Sequence, residues 1–209
     1  MHLTKKPLLL TSLFASLTFG ALPLAQANVS VGTVAPNFSV TDTAGKTVSL
    51  AEFKGKTVVL EWVNPGCPYV RKHYDSANMQ ATQKAAAAQG VVWLAINSTN
   101  PGHGDYLKPA EMGAWMKTQA AAPTATLMDS DGRIGRAYGA RTTPHMYIVN
   151  AQGQLAYIGA IDSKPSANPA DVKSATNHVN VALAEVLAGK PVSQATTRAY
   201  GCSVKYSDG

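Results

Sequence analysis

Glu61-Trp62-Val63-Asn64-Pro65-Gly66-Cys67-Pro68-Tyr69-Val70-Arg71-Lys72-His73-Tyr74 is the stretch that decides how this chain is read. An apolar, β-branched run, Thr57-Val58-Val59-Leu60, leads into it and reads as a buried strand. Asn64-Pro65-Gly66 breaks that strand. Pro68 suits the first turn of a helix, where its missing N–H has no partner to lose. The pattern predicts one helix from Pro68 to about Gln89, stopped by Gly90. Cys67 then lies at a strand-to-helix turn, where free N–H groups and the positive end of the helix dipole favour thiolate over thiol. Arg71, four residues on, adds positive charge on the same helical face, Tyr74 continues that face, and His73 points elsewhere. The position suits a reactive sulfur. A buried structural Cys or half of a static disulfide is the plainer alternative.

Outward from this stretch, Phe38 to Asp42 and Thr47 to Leu50 flank Thr43-Ala44-Gly45-Lys46 and predict a hairpin. On the other side, Val91 to Ile96 is a second buried strand. Residues 97–108 form a polar, Gly- and Pro-bearing loop, at the sheet edge where ligands usually sit in α/β folds. Pro109 to Ala122 is helical, Ala125 to Met128 a short strand, and Arg133 to Tyr138 a brief helix. Pro144 to Val149 and Leu155 to Ile161 form a hairpin, residues 163–175 a surface loop, and His178 to Leu187 the last helix. The tail from Lys190 to Gly209 reads as irregular and carries Cys202. This order predicts an α/β fold with helices on both faces of a mixed sheet.

The first 27 residues read as a signal peptide. Lys5-Lys6 precede a mostly apolar run from Leu8 to Leu24, and Ala25-Gln26-Ala27 is an A-x-A cleavage pattern. Gly20 and Pro23 break the run too early for a comfortable membrane span. The expected product is residues 28–209, one domain, periplasmic or secreted and free of the membrane. The basic excess, 18 Lys and Arg against 12 Asp and Glu, is scattered and gives no nucleic-acid footprint. Both cysteines, Cys67 and Cys202, lie in the exported part, where disulfides persist, and they allow one intramolecular pairing.

A second signal is Arg141-Thr142-Thr143-Pro144-His145, directly before the strand Met146 to Val149. X-Pro bonds tolerate the cis form, and a Pro opening a strand is one of the few places a sheet admits it. A cis bond here turns the Thr143 backbone outward and leaves its N–H and C=O free to pair with an extended substrate beside Cys67.

Together these segments resemble the thioredoxin fold: a strand carrying Trp62, a turn, a Cys67-Pro68 helix start, and Thr143-Pro144 before a hairpin. The extra N-terminal hairpin and the lead-in Val34-Ala35-Pro36-Asn37-Phe38 resemble the redoxin, or AhpC/TSA, branch, and the stretches from Glu61 to Tyr74, Thr142 to Ile148 and Tyr200 to Tyr206 resemble a bacterial group of exported peroxiredoxin-like redoxins. The resemblance implies a thiol-dependent oxidoreductase acting on a peroxide or a protein disulfide and recharged by an external thiol reductant, with no cofactor. It places Cys67, Cys202, Arg71 and Asn64 in catalysis, and Thr143, Pro144, Trp62 and Arg141 at the substrate. The chain also departs from the pattern. Asn64 stands where thioredoxins have their first, nucleophilic Cys, and where peroxiredoxins have a Thr that binds peroxide. Cys202 is either the thiol that resolves an oxidised Cys67 or one end of a fixed staple.

Two further residue types bear on function. His73, His103, His145 and His178 have no tight ligand spacing, and only the Cys-Pro half of a copper-chaperone pattern is present. No metal site is expected, and His145 is read as a packing or orienting residue. Glu61, inside a buried strand, is either a proton relay towards Cys67 or a carboxylate paired with Lys56 or another nearby basic group. The non-catalytic reading of the whole chain is a thioredoxin-fold binding module, or copper chaperone, with a structural Cys67–Cys202 bond.

Overall fold

The run Val58–Trp62 is buried at all five positions, so both faces of the sheet it belongs to must be covered. A computed structural model describes Met1, His2 and residues 29–207. The signal-peptide reading lies outside the described residues. Strands β1 (Ser39–Thr41) and β2 (Thr47–Ser49) form the expected hairpin as a separate two-stranded sheet. Its turn is tied by Asp42, which accepts from the Ala44 and Lys46 N–H groups. A 3-10 turn, Leu50–Phe53, follows and is closed by a Ser49/Glu52 capping box. Then come β3 (Val58–Trp62), α1 (Pro68–Asp75), α2 (Asn78–Ala88), β4 (Val92–Asn97), α3 (Pro109–Thr118), β5 (Ala125–Met128) and α4 (Arg133–Tyr138). The chain ends through β6 (Thr142–Thr143), β7 (His145–Val149), β8 (Leu155–Gly159), α5 (His178–Leu187) and β9 (Cys202–Ser203).

The central sheet has the order β5-β4-β3-β7-β8. β3 runs parallel to β4 and antiparallel to β7. Alternation along β3 sorts the core. Val59 and Val63 face a cluster that includes Cys67, Val70, Tyr74, Met112 and Val179, from α1, α3 and α5. Val58, Leu60 and Trp62 face the opposite cluster, with Phe38, Ile134 and Tyr138 from the N-terminal hairpin region and α4. The expected mixed sheet with helices on both faces is therefore the one observed.

Two expectations need correction. The helix predicted over residues 68–89 is two helices, α1 and α2, separated at Ala77, which is left-handed at φ 60°. Side chains take over the bonds lost at the break. Gln80 Nε2 donates to the Tyr74 carbonyl (2.9 Å) and to Gln119 O (2.7 Å), and Asn78 Nδ2 meets His73 Nδ1 (2.9 Å). The C-terminal tail, expected to be irregular, supplies β9, which pairs antiparallel with β6 in the register Thr142–Ser203 and Thr143–Cys202.

Candidate active site

Cys67 is the N-cap residue of α1, with Pro68 in the first turn, as its sequence position predicts. Its carbonyl accepts the Val70 and Arg71 N–H groups. The side chain is 1% exposed, and its Sγ–H donates to the Thr143 carbonyl at 3.0 Å. The Thr143–Pro144 peptide is cis. The cis-proline turn and the helix start thus meet at one sulfur, although they are far apart in sequence.

The Thr143 backbone is not free, contrary to expectation. β9 lies along it, and Cys202 is its partner in register. The approach is close enough that a Cβ on Gly201 (φ +130°) would overlap the Thr143 carbonyl oxygen. The Thr143 hydroxyl is buried without a partner. Cys202 packs at the edge of the Cys67 cluster and keeps partial exposure. Burial, then its hydrogen bond to Cys67 and the charge of Cys67, push the Cys202 thiol up to about 12. Asp105 adds to the rise and Lys205 opposes it. Negative charge on Cys67 thus makes a second negative charge on Cys202 costly.

The other predicted site residues divide. Asn64 is 2% exposed: Oδ1 accepts from Gly66 N (2.8 Å) and Nδ2 donates to Asp105 Oδ2 (2.9 Å). Its amide shapes the turn before Cys67. Arg71 is exposed and its Nε donates to the Pro65 carbonyl (2.9 Å), which braces the same turn. Arg141 contributes backbone: its carbonyl accepts Val204 N–H (3.0 Å). Its side chain lines a cavity of about 720 Å³ with Arg136 and Arg198, which neither cysteine lines. Trp62 is fully buried on the opposite face of the sheet from Cys67, so it is not a substrate contact. Its Nε1 donates to Ser98 Oγ (3.0 Å), which donates to Asp129 (2.6 Å).

Glu61 pairs with neither Lys56 nor solvent. Trp93 Nε1 (2.7 Å), Tyr74 Oη (2.8 Å) and Gln83 Nε2 (3.2 Å) all donate to its carboxyl group, and burial raises its pKa despite these bonds. His145 packs against Tyr147 with ring centroids 4.6 Å apart and planes tilted by 42°. Among the described residues, no group of three or more His, Cys, Asp or Glu gathers as a metal site would require.

Sequence reading missed the residues that hold the tail. Lys72 is buried and its Nζ contacts Asp162 Oδ2 (3.0 Å), Lys164 O (2.7 Å) and Tyr200 Oη (3.2 Å). The Tyr200 hydroxyl also bonds Asp162 and meets His73 Nε2 (3.2 Å). Asp105, from the loop expected to border the site, was missed as well; a Cβ on Gly66 would come within 2.7 Å of its carboxyl carbon. The available signal was the run Arg71-Lys72-His73-Tyr74, in which Lys72 and His73 sit on a helix otherwise read only for its Cys face.

The AhpC/TSA family model matches residues 31–158. The chain belongs to the AhpC/TSA family. Among curated proteins, this family member is 26% identical over 137 residues to "Thiol-disulfide oxidoreductase ResA" of Bacillus subtilis (strain 168), covering 66% of this chain and 71% of ResA. A shorter match, 56% identical over 43 residues, is to "Peroxiredoxin Q, chloroplastic" of Triticum aestivum, covering 19% of this chain and 20% of that protein. Among solved structures, a hypothetical protein from Sinorhizobium meliloti 1021 superposes with a TM-score of 0.73 at 25% identity, over 87% of this chain and 97% of its own. An uncharacterized conserved protein from Geobacillus kaustophilus gives a TM-score of 0.74 at 24% identity, over 88% and 95%. The AhpC/TSA chain has the thioredoxin-like fold that its sequence motifs imply.

Proposed function

We propose that this AhpC/TSA protein is an exported thiol–disulfide oxidoreductase whose working pair is Cys67 and Cys202. The observation that carries the proposal is the placement of Cys202, in register with Thr143, against the helix-capping Cys67. In the forward half-reaction, Cys67 thiolate attacks a substrate disulfide and forms a mixed disulfide while one substrate thiolate leaves. Cys202, giving up its proton, then attacks the Cys67 sulfur. The second substrate thiolate leaves, and the protein holds a Cys67–Cys202 disulfide. Two electrons have passed to the substrate, and an external dithiol restores them by the reverse exchange.

The loss of the peroxide-binding Thr favours disulfide exchange over peroxide reduction, since the buried amide of Asn64 that replaces it is turned to Gly66 and Asp105. The similarity to ResA supports the same choice. The similarity to peroxiredoxin Q favours a second reading, in which peroxide oxidises Cys67 to a sulfenic acid and Cys202 condenses with it, releasing water.

The test uses thiol titration and turnover. In the wild type, mild oxidation should consume both thiols together, and a dithiol should return them. Cys67→Ser should abolish turnover of a model disulfide, and Cys202→Ser should trap the mixed disulfide on Cys67. A Cys67–Cys202 bond that no dithiol reduces at working concentrations makes the chain a stapled binding module. Turnover of hydrogen peroxide but not of disulfides selects the peroxidase reading.

A further inference from the structure

The chain's own last residues run beside Cys67: β9 pairs with Thr143, whose carbonyl the Cys67 thiol meets. The root of the tail is pinned to β8: Ile158 N donates to Ala195 O (3.0 Å), Thr197 N to Ile158 O (3.1 Å), and Thr197 Oγ1 bonds both Ala160 N (2.9 Å) and Tyr157 Oη (2.6 Å). Beyond that root, the segment from Tyr200 to Tyr206 crosses the face that holds the cis-proline turn and the residue 98–108 loop. Two tyrosines fasten its ends. Tyr200 inserts its hydroxyl among Lys72, His73 and Asp162, and its ring meets Tyr69 edge-on at 5.9 Å. Tyr206 donates to Ala140 O (2.7 Å), and its ring lies over Gly132 and Gly135 with the Arg136 guanidinium 4.6 Å from the ring centre. The glycines make that seat. A Cβ at Gly132 would fall 2.6 Å from the Tyr206 ring, and one at Gly135 would overlap the hydroxyl. Between the two tyrosines, Val204 N donates to Arg141 O and Lys205 O accepts from Asn100 N (2.8 Å).

We propose that residues 200–206 are a latched strand, held at each end by Tyr200 and Tyr206, that occupies the groove where a partner polypeptide would pair with Thr143. Cys67 meets a polypeptide disulfide only when this latch opens. The proposal rests on the Cys67–Cys202 reading and adds its regulation. Tyr200 and Tyr206 are positioning residues: latched, they hold Cys202 on Cys67 and close the groove. With the root fixed at Ala195 to Thr197, the moving part is the short length that follows.

Accessibility of a sulfur guarded by local opening scales with the open fraction, so the latch is measured by the reactivity of Cys67. Four full-length, reduced proteins are compared in a Cys202→Ser background: the parent, Tyr206→Ala, Gly135→Ala, and Tyr200→Phe. Gly135→Ala leaves the tail sequence intact and removes only its seat. Iodoacetamide modification of Cys67 is followed by mass, with circular dichroism and thermal melting reporting the fold. Tyr206→Ala and Gly135→Ala are each expected to speed alkylation about tenfold or more, the effect of losing one anchored aromatic and its hydrogen bond. Tyr200→Phe is expected to give a smaller increase. Mixed-disulfide formation at Cys67 with a disulfide-bonded peptide should rise in parallel. Equal and rapid alkylation in all four folded proteins overturns the latch and leaves the redox reading intact. Equal and negligible alkylation in all four overturns both.

Discussion

Glu61 holds a carboxyl group at the centre of the sheet, with three donors around it and no cation beside it. Burial outweighs the donors and raises its pKa above the ordinary 4.5. The sign follows directly. Above 4.5 the unfolded chain has released this proton while the folded chain keeps it, so stability falls as pH rises through that window. Glu61→Gln holds the site neutral at every pH. The substitution suits the donors, since the amide oxygen can face Trp93 and Gln83 while Tyr74 Oη turns to accept. Its urea midpoint, relative to the wild type, should therefore climb as pH increases from 4.5, and a parallel pair of pH curves would rule this account out. Glu61 stands out in the sequence, because a charged residue in an apolar strand needs a partner. Sequence alone does not name the partner, because Trp93, Tyr74 and Gln83 come from three other elements and share no local pattern with it.

At the scale of elements, the break between α1 and α2 shows the limit of periodicity. The segment over residues 68–89 contains no internal Gly or Pro after Pro68 and is rich in helix formers, so intrinsic preference argues for continuity. Tertiary bonds decide otherwise: Gln80 caps the freed Tyr74 carbonyl and Asn78 binds His73, which in turn fixes Tyr200. Ala77 bears the cost, held in a conformation that disfavours a Cβ by about 1 kcal/mol. Ala77→Gly should be neutral or stabilising by about 0.5 kcal/mol, read from denaturant midpoints, with no loss of turnover. Strong destabilisation would mean that the turn is held by packing of the Ala77 methyl. The strands, by contrast, were legible. β3, β4 and β7 are short β-branched or aromatic runs bounded by turn residues, and burial on both faces leaves little ambiguity in their type. β9 was not, because a two-residue strand has no period to detect and owes its form to β6.

The whole molecule carries two buried histidines without exposed charge, His73 on α1 and His145 on β7, each lowered by burial to about 4 from 6.5. The fold thus excludes their protonated forms. Between 6.5 and 4 the unfolded chain binds more protons than the folded one, so stability is lost as pH falls through that window. The expected loss is about 2 kcal/mol per histidine between pH 7 and pH 5, measurable as a drop in the urea midpoint. His145→Asn should remove about half of it, and an unchanged slope in that variant would sink the assignment. In overall architecture the sequence motifs anticipated the sheet, its two covered faces and the meeting of Cys67 with Thr143-Pro144. They did not anticipate that the groove would be filled, because the motif from Tyr200 to Tyr206 shows no anchoring role until Lys72, Asp162, Gly132 and Gly135 are brought beneath it.

The short ladder between β6 and β9 also has a mechanical consequence. A pull applied at the C-terminus loads its rungs one after another, as a zipper is opened, whereas β3, flanked on both sides, is loaded in concert. Cargo or an affinity tag fused behind residue 207 therefore tugs first on the Tyr206 anchor and, once that yields, on the strand carrying Cys202. Handles for immobilisation belong at the other end of the domain, ahead of β1.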